Sequence, residues 1–375
     1  MTEIAPPAAT PSRRPPPGMT PLTGMGKGFV HDMWYFAALS SDLKPGALHK
    51  WEFLGEPLLL GRDRKGVAFA IKDICPHRAA PLSAGKLMTD PDGQEAVECP
   101  FHGWLFRTSD GACSRIPSLV EEQGIETDRI RVRRWPVQES QGLVFVYAAE
   151  NPRDNEPVMP PPVFVGVVGG GPKLVERMDF DSHIDHAVVG LMDPAHGPYV
   201  HQQWWWRSSK SQLAKEKAFE PRDYGFAMAR HKPSKNSRAY KLLGGAPETE
   251  ITFRLPGYRW EHIIVGQKQV LGLTFLTPVN ANKTRITQIF WSDHIAFSLL
   301  KPLLRIGARR FLKQDGDMVN LQNIGLQHDP ALIWIDDADK QAKWYQALKK
   351  AWITARHEKK PFVNPVEATV LRWRS

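Results

Sequence analysis

Cys75-Pro76-His77 and Cys99-Pro100-Phe101-His102 are the two stretches on which the reading of this chain turns. Each supplies one thiolate and one imidazole, in Cys-x-His and Cys-x2-His order. Two sulfur and two imidazole ligands suit a [2Fe–2S] cluster whose outer iron takes both histidines, a Rieske centre. A structural zinc also takes two cysteines and two histidines and is the rival. Zinc loops usually bring a cysteine pair together and a histidine pair together, whereas here each loop holds one of each. A two-iron cluster requires that mixture, because each loop must reach both irons.

The sequence around these loops predicts a small all-β setting. Between residues 51 and 149 short apolar runs alternate with turn residues. Residues 57–61 and 67–71 flank Arg62-Asp63-Arg64-Lys65-Gly66, a hairpin pattern, and residues 143–149 form a further strand after Gly142. Residues 78–98, with Thr89-Asp90-Pro91-Asp92-Gly93-Gln94, read as a turn-rich surface loop. Cys113 stands outside the ligand pattern and reads as a small buried side chain. Upstream, residues 1–28 carry Pro6, Pro7, Pro11, Pro15, Pro16 and Pro17 and read as a disordered tail. Order is expected from residue 29, where Trp34, Tyr35 and Phe36 are the first core-sized side chains. Downstream, residues 151–162, with Pro152, Pro157 and Pro160-Pro161-Pro162, read as a linker. Gly169-Gly170-Gly171 follows as a turn without the strand–helix context of a phosphate loop.

Beyond the linker, Asp193-Pro194-Ala195-His196-Gly197-Pro198-Tyr199-Val200-His201 carries a second metal pattern. On an unbroken helix two histidines five apart would point about 140° away from each other and miss one ion. Gly197 and Pro198 are expected to break that geometry and let the second imidazole swing back. Asp193, three before His196, is placed to hold its N–H through the side chain. Two histidines need a carboxylate from elsewhere to make a facial triad for Fe(II). Residues 185–191 read as a buried helix leading into this stretch. Trp204-Trp205-Trp206 cannot all face one side of an element, so they divide between core and cavity. Residues 250–254, 260–265, 270–276 and 284–291 are β-type runs that predict an antiparallel meander. Residues 298–326 look helical, with apolar positions at Leu299, Leu300, Leu303, Leu304 and Phe311, and include Asp315 and Asp317. Residues 336–356 predict an amphipathic helix with an acidic first turn and Trp344, Leu348 and Trp352 in the core.

Length and composition set outer limits. A chain of 375 residues suggests two domains. Three cysteines make no disulfide framework, and no apolar run is long enough to span a bilayer. No signal segment is convincing, because Arg13-Arg14 lacks a following apolar stretch, so a cytoplasmic protein is expected. The net charge of +9 is scattered rather than blocked, which favours an acidic redox partner or anionic substrate over nucleic acid.

With both patterns in view, the chain resembles the catalytic subunits of the Rieske non-haem iron oxygenases, the aromatic ring-hydroxylating superfamily. His77-Arg78 and Gly103-Trp104, beside the cluster ligands, add to the likeness. It covers roughly residues 30–326 and is strongest to short members such as vanillate and dicamba demethylases and phenoxybenzoate-type oxygenases. Met192-Asp193-Pro194-Ala195-His196 is also similar to the pheophorbide-oxygenase branch. The resemblance implies an α+β chain: a small all-β Rieske domain over residues 29–150, then a catalytic domain over 163–375 with an antiparallel sheet wrapped by helices. It implies that Cys75 and Cys99 hold the inner iron of one [2Fe–2S] cluster and His77 and His102 the outer one. It implies that His196, His201 and a carboxylate from the late helix hold one mononuclear Fe(II). Short members carry a polar residue five positions and Gln seven positions after that Asp. Asp315, with Asn320 and Gln322, fits this register and Asp317 does not. Gly190 stands where many members have Asn.

The implied activity is that of a terminal oxygenase, with O2 and a small aromatic or polycyclic substrate. No dinucleotide fingerprint follows a strand, so electrons must come from a separate NAD(P)H reductase or ferredoxin. The implied assembly is a homotrimer in which Asp193 bridges His196 to the cluster histidine of the next copy. Hydroxylation or oxidative demethylation is the expected outcome, with cis-dihydroxylation of a ring as the alternative. A non-catalytic Rieske electron carrier or sensor is the reading from another class, and would leave the residues after the linker unexplained.

Overall fold

The computed structural model describes residues 25–169, 171–201, 212–233 and 245–375. Residues 1–24 of the expected tail, and Trp204, Trp205 and Trp206, lie outside the described residues.

In the first half, strand Met33–Leu39 pairs antiparallel with Leu143–Ala148, which pairs in turn with Val137–Ser140. Leu143–Ala148 is buried along its whole length, so it reads as a continuous apolar run rather than an alternating one. The predicted hairpin forms from Glu56–Arg62 and Ala68–Lys72. Leu48–Phe53 and Arg134–Trp135 extend it to four strands. Residues 78–98 are more than a surface loop. Lys86–Thr89 and Glu95–Glu98 pair as a hairpin in a second four-stranded sheet, completed by Leu105–Arg107 and Cys113–Arg115. Asp90, in its turn, is buried: it accepts the backbone N–H groups of Asp92 and Gln94 and pairs with Arg107 at 2.9 Å. The turn chemistry was visible in sequence, but the arginine that draws the carboxylate inward comes from another strand.

The second half is built on an eight-stranded antiparallel sheet. Its order is Leu174–Phe180, Lys283–Ser292, Lys268–Asn280, Tyr258–Val265, Glu248–Arg254, Gly225–His231, Ala214–Arg222 and Thr369–Arg374. The four predicted runs make its middle as a meander. The flanking strands, more polar or split by turns, were not read from sequence. Helices α1 (Ile184–Met192), α2 (Gly197–Val200), α3 (Ile295–Leu299), α4 (Lys301–Leu326) and α5 (Asp336–His357) pack on it or beside it. α5 has Asp336, Asp337 and Asp339 in its first turn and Arg356 and His357 in its last, opposing the helix dipole at both ends. It buries Trp344, Tyr345, Leu348 and Trp352. No helix among the described residues is long and apolar enough to cross a membrane.

Packing runs across the linker. One buried cluster joins Tyr35, Phe53, Leu58 and Trp135 to Ile184, Val188, Phe253 and Trp344, and a second joins Trp34 and Phe145 to Phe275 and Trp291. Only the third, around Leu59, Val97, Phe106 and the three cysteines, stays within the first half. Residues 25–28, expected in the tail, dock beside α1. The Gly26 N–H donates to Asp185 at 2.9 Å, and the Lys349 ammonium donates to the carbonyls of Lys27 and Gly28. Asp185 is fully buried and also accepts from the Tyr345 hydroxyl and from Lys349 at 2.6 and 2.8 Å. α1 is thereby tied to α5 and to the N-terminal segment by one satisfied carboxylate.

Candidate metal centres

The two cysteine–histidine loops have the same backbone. In the first, the Cys75 N–H donates to the Ala80 carbonyl and the Ala79 N–H returns to Cys75. In the second, the Cys99 N–H donates to the Trp104 carbonyl and the Gly103 N–H returns to Cys99. Ala79 and Gly103, at matching positions, both adopt positive φ, 56° and 69°. Two copies of one loop, facing each other, present their cysteines inward and their histidines outward. Cys75 and Cys99 are buried, whereas His77 and His102 are exposed with ring centroids 4.5 Å apart. His77 stacks flat on Trp104 at 4.8 Å. Partial desolvation by the packed ring faces, then the nearby His102 and Arg78, hold the His77 imidazole below its ordinary pKa, in the neutral form a metal needs.

Around a tetrahedral zinc the four donor atoms crowd within about 4 Å of one another. Among the described residues, the one set of three or more donors within 4.8 Å of one another is His196, His201 and Asp315. No three of Cys75, His77, Cys99 and His102 form such a set. Cys113 is buried beside them, with its Sγ 3.6 Å from the Arg115 carbonyl. Burial pushes its thiol up to about 11, so it stays protonated.

The second centre is assembled from α1, α2 and α4. α1 ends at Asp193, whose φ and ψ of −60° and 119° leave the helix. His196 then caps the single turn of α2, and His201, at φ −102° and ψ 53°, leaves it. Gly197 and Pro198 therefore start a helical turn rather than break one. The break that turns the second imidazole back lies at His201 itself. The two Nε2 atoms stand 3.2 Å apart, and Asp315 Oδ1 is 3.5 Å from His196 Nε2 and 3.0 Å from His201 Nε2.

Both rings are aimed by their other nitrogen. His196 Nδ1 donates to the backbone carbonyl of Asp193 at 2.7 Å, and His201 Nδ1 donates to Gln314 Oε1 at 3.2 Å. These carbonyl acceptors select one tautomer and leave both Nε2 lone pairs converging on one point. The His201 ring also stacks on Phe311 at 3.4 Å. The role expected of the Asp193 side chain is corrected here. Its carboxylate is 3.8 Å from His196 Nδ1 and caps the Ala195 N–H instead, because the residue sits at a helix end and offers its carbonyl first.

Asp315 is buried on the inner face of α4, where Gly316 lies so close to Phe180 that a Cβ would approach its ring to 2.8 Å. Asp317 faces out and pairs with Lys313. Asn320, one turn beyond, accepts the Asp181 N–H at 3.1 Å and anchors α4 to the sheet. Burial alone would raise the Asp315 carboxyl, but the two imidazoles hold it below the usual range. Burial likewise would lower His196, but Asp315 raises it. The trio favours a positive charge at its centre, a proton or a metal cation. Gln314 and Phe311 had no signal in sequence, being single residues on a helix that only the fold brings to His201.

A groove of about 540 Å³ lined by Leu39, Val167, Val168 and Trp291 has no titratable residue in its wall, so no chemistry is placed there.

Comparison with known proteins follows the same division of the chain. The family model for the Rieske [2Fe-2S] domain matches residues 33–136. The chain is 28% identical over 314 residues to pheophorbide a oxygenase, chloroplastic, of Arabidopsis thaliana, covering 78% of this chain and 55% of that protein. It is 32% identical over 180 residues to the oxygenase component of dicamba O-demethylase of Stenotrophomonas maltophilia, covering 46% of this chain and 48% of that one. The chain thus spans about half the length of these curated relatives. Among solved structures, dicamba monooxygenase bound to dicamba superposes with a TM-score of 0.71 at 22% identity, covering 88% of this chain and 100% of that one. That likeness establishes the fold.

Proposed function

We propose that this chain, which carries a Rieske [2Fe–2S] domain on the fold of dicamba monooxygenase, is the terminal oxygenase of a multicomponent system. It takes electrons from a separate NAD(P)H-dependent reductase, directly or through a ferredoxin. It uses O2 to hydroxylate or oxidatively demethylate an aromatic or polycyclic organic substrate. The observation that carries this is the trio His196, His201 and Asp315, two imidazoles and one carboxylate within 3.5 Å, in the same chain as a Rieske domain. An electron carrier has no use for the trio. Iron held by two histidines and one carboxylate keeps positions open for O2 beside a substrate, and the cluster supplies single electrons.

The protein's own part is to fix the ligands. Cys75, His77, Cys99 and His102 hold the cluster, and His196, His201 and Asp315 hold the mononuclear iron. The Asp193 carbonyl and Gln314 keep both Nδ1 atoms protonated so that both Nε2 atoms remain ligands. The second Asp193 carboxylate oxygen has no hydrogen-bond partner among the described residues, and His102 of the Rieske loop is exposed. These fit a homotrimer in which the Asp193 carboxylate of one copy meets the partner subunit's His102. Asp315→Ala tests the reading: it should lose the mononuclear iron and keep the cluster's absorbance, while Asp317→Ala keeps both. A panel of aromatic and polycyclic compounds, assayed for substrate-dependent NAD(P)H consumption with a surrogate reductase, finds the substrate. Retention of all iron by Asp315→Ala would falsify the assignment.

A further inference from the structure

Of the apolar positions that mark residues 298–326 as a helix, Leu299 and Leu303 are exposed, whereas Leu300, Leu304 and Phe311 are half-buried. α4 buries only Leu312, Asp315, Gly316 and Val319. Ile295 and Leu299 on α3, and Leu303 and Ile306 on α4, are 73%, 74%, 68% and 67% exposed. α3 and α4 are joined through the single residue Leu300. Ile295 and Leu299 are four residues apart on α3, and Leu303 and Ile306 three apart on α4, so each helix presents its pair on one side, and the two pairs follow each other along the chain.

The charge around the stripe has one sign. Residues 294–314 contain Lys301, Arg305, Arg309, Arg310 and Lys313 and no acidic residue. Lys301, Arg305 and Arg309 recur at four-residue spacing along one flank, and Arg310 closes the stripe's C-terminal end. Arg305 is held by Glu176 at 2.8 Å and Lys313 by Asp317. Lys301, Arg309 and Arg310 have no ion pair among the described residues. Four exposed aliphatic side chains bordered by unpaired cations form an interfacial amphipathic surface.

We propose that the α3–α4 stripe docks this protein on an anionic lipid surface, with the aliphatic residues entering the headgroup boundary and the cations meeting lipid phosphates. A two-fold contact with a second copy is a poorer occupant, because it would set Arg309 and Arg310 against their own images. Asp315 lies nine residues beyond Ile306 on α4, roughly 14 Å along the helix. Docking therefore places the metal trio near the surface where apolar compounds concentrate. The docking itself stands apart from the iron chemistry.

Flotation of the full chain, with its cluster, on phosphatidylcholine vesicles with and without phosphatidylglycerol tests this. The protein should float with the anionic vesicles, less with the neutral ones, and be released as salt is raised. Leu303→Asp/Ile306→Asp should lose anionic-vesicle binding by more than tenfold, while Leu321→Asp/Ile324→Asp floats like the parent. Arg309→Gln/Arg310→Gln, which leaves the apolar residues intact, should weaken binding about 25-fold, roughly fivefold per cation. Cluster absorbance and melting temperature report whether each variant is folded. If the aspartate pair does not fold, the glutamine pair decides. Absence of flotation overturns the proposal, and so does equal flotation of the variants. A drop in solution mass in the stripe variants, without vesicle binding by the parent, assigns the stripe to a contact between copies instead.

Discussion

At the scale of single residues, the proposed mononuclear site rests on small carbonyl contacts behind its three candidate ligands. His201 Nδ1 meets Gln314 Oε1, an acceptor supplied by α4. We predict that Gln314→Leu lowers affinity for the mononuclear iron 10–100-fold while the cluster spectrum stays unchanged, and that Gln314→Glu, which keeps the acceptor, retains the iron. Metal titration followed by iron analysis reads both; equal affinities for the parent and the leucine variant would refute the role. Asp90 is a second informative residue. Burial raises its carboxyl, but Arg107 and the turn N–H groups outweigh this and leave it below the ordinary range. A depressed folded-state value adds stability above the unfolded-state pKa, and this is lost as pH falls through the folded-state one. Asp90→Asn should therefore melt lower than the parent at neutral pH, with the gap closing below about pH 4. A pH-independent gap would show that lost packing, not charge, is responsible.

At the scale of elements, α1 and α4 must be held in place for their ligands to meet. α4 approaches the sheet through Gly316, where a methyl group would meet the Phe180 ring at 2.8 Å. Gly316→Ala should destabilise by about 1–3 kcal/mol and, by pushing Asp315 outward, weaken mononuclear iron binding more than it disturbs the cluster. A variant with unchanged melting temperature and iron content would mean that Phe180 simply moves. α1 is fixed from the other side by Asp185, with Lys349, Tyr345 and Gly26 around it. Removing one partner leaves a buried charge. Lys349→Met should lower stability by about 3–5 kcal/mol, and adding Asp185→Asn should recover part of that. Additive losses in denaturant titrations would exclude a coupled pair.

At the scale of the whole molecule, the proposed electron path between copies is open to a mixing experiment. The His196 N–H is held by the Asp193 backbone, so Asp193→Asn should keep the mononuclear iron, and its reduced cluster should form normally while turnover falls. His102→Ala alone should also be inactive. Trimers reassembled from the two variants should regain activity, because one interface pairs an intact Asp193 with an intact His102. Failure of mixing to restore any activity, with mixed trimers verified by mass, would sink the inter-subunit path.

The Rieske domain was legible in a cysteine–histidine pattern confined to two short loops, and the meander of four central strands in apolar runs punctuated by turns. Both depend on neighbours close in the chain. The sequence likewise singled out His196, His201 and Asp315 as candidates, the last only through its register with Asn320, which the fold uses to anchor α4 to Asp181. Tertiary structure decided the rest. Which atom holds the His196 N–H, the inward turn of Asp90 and the packing of residues 25–28 against α1 all depend on partners far away in the chain. The same is true of the core shared across the linker and of the exposed face of α3 and α4. Helical spacing shows that an apolar stripe exists, but only the positions of the sheet and the other helices determine whether it is covered.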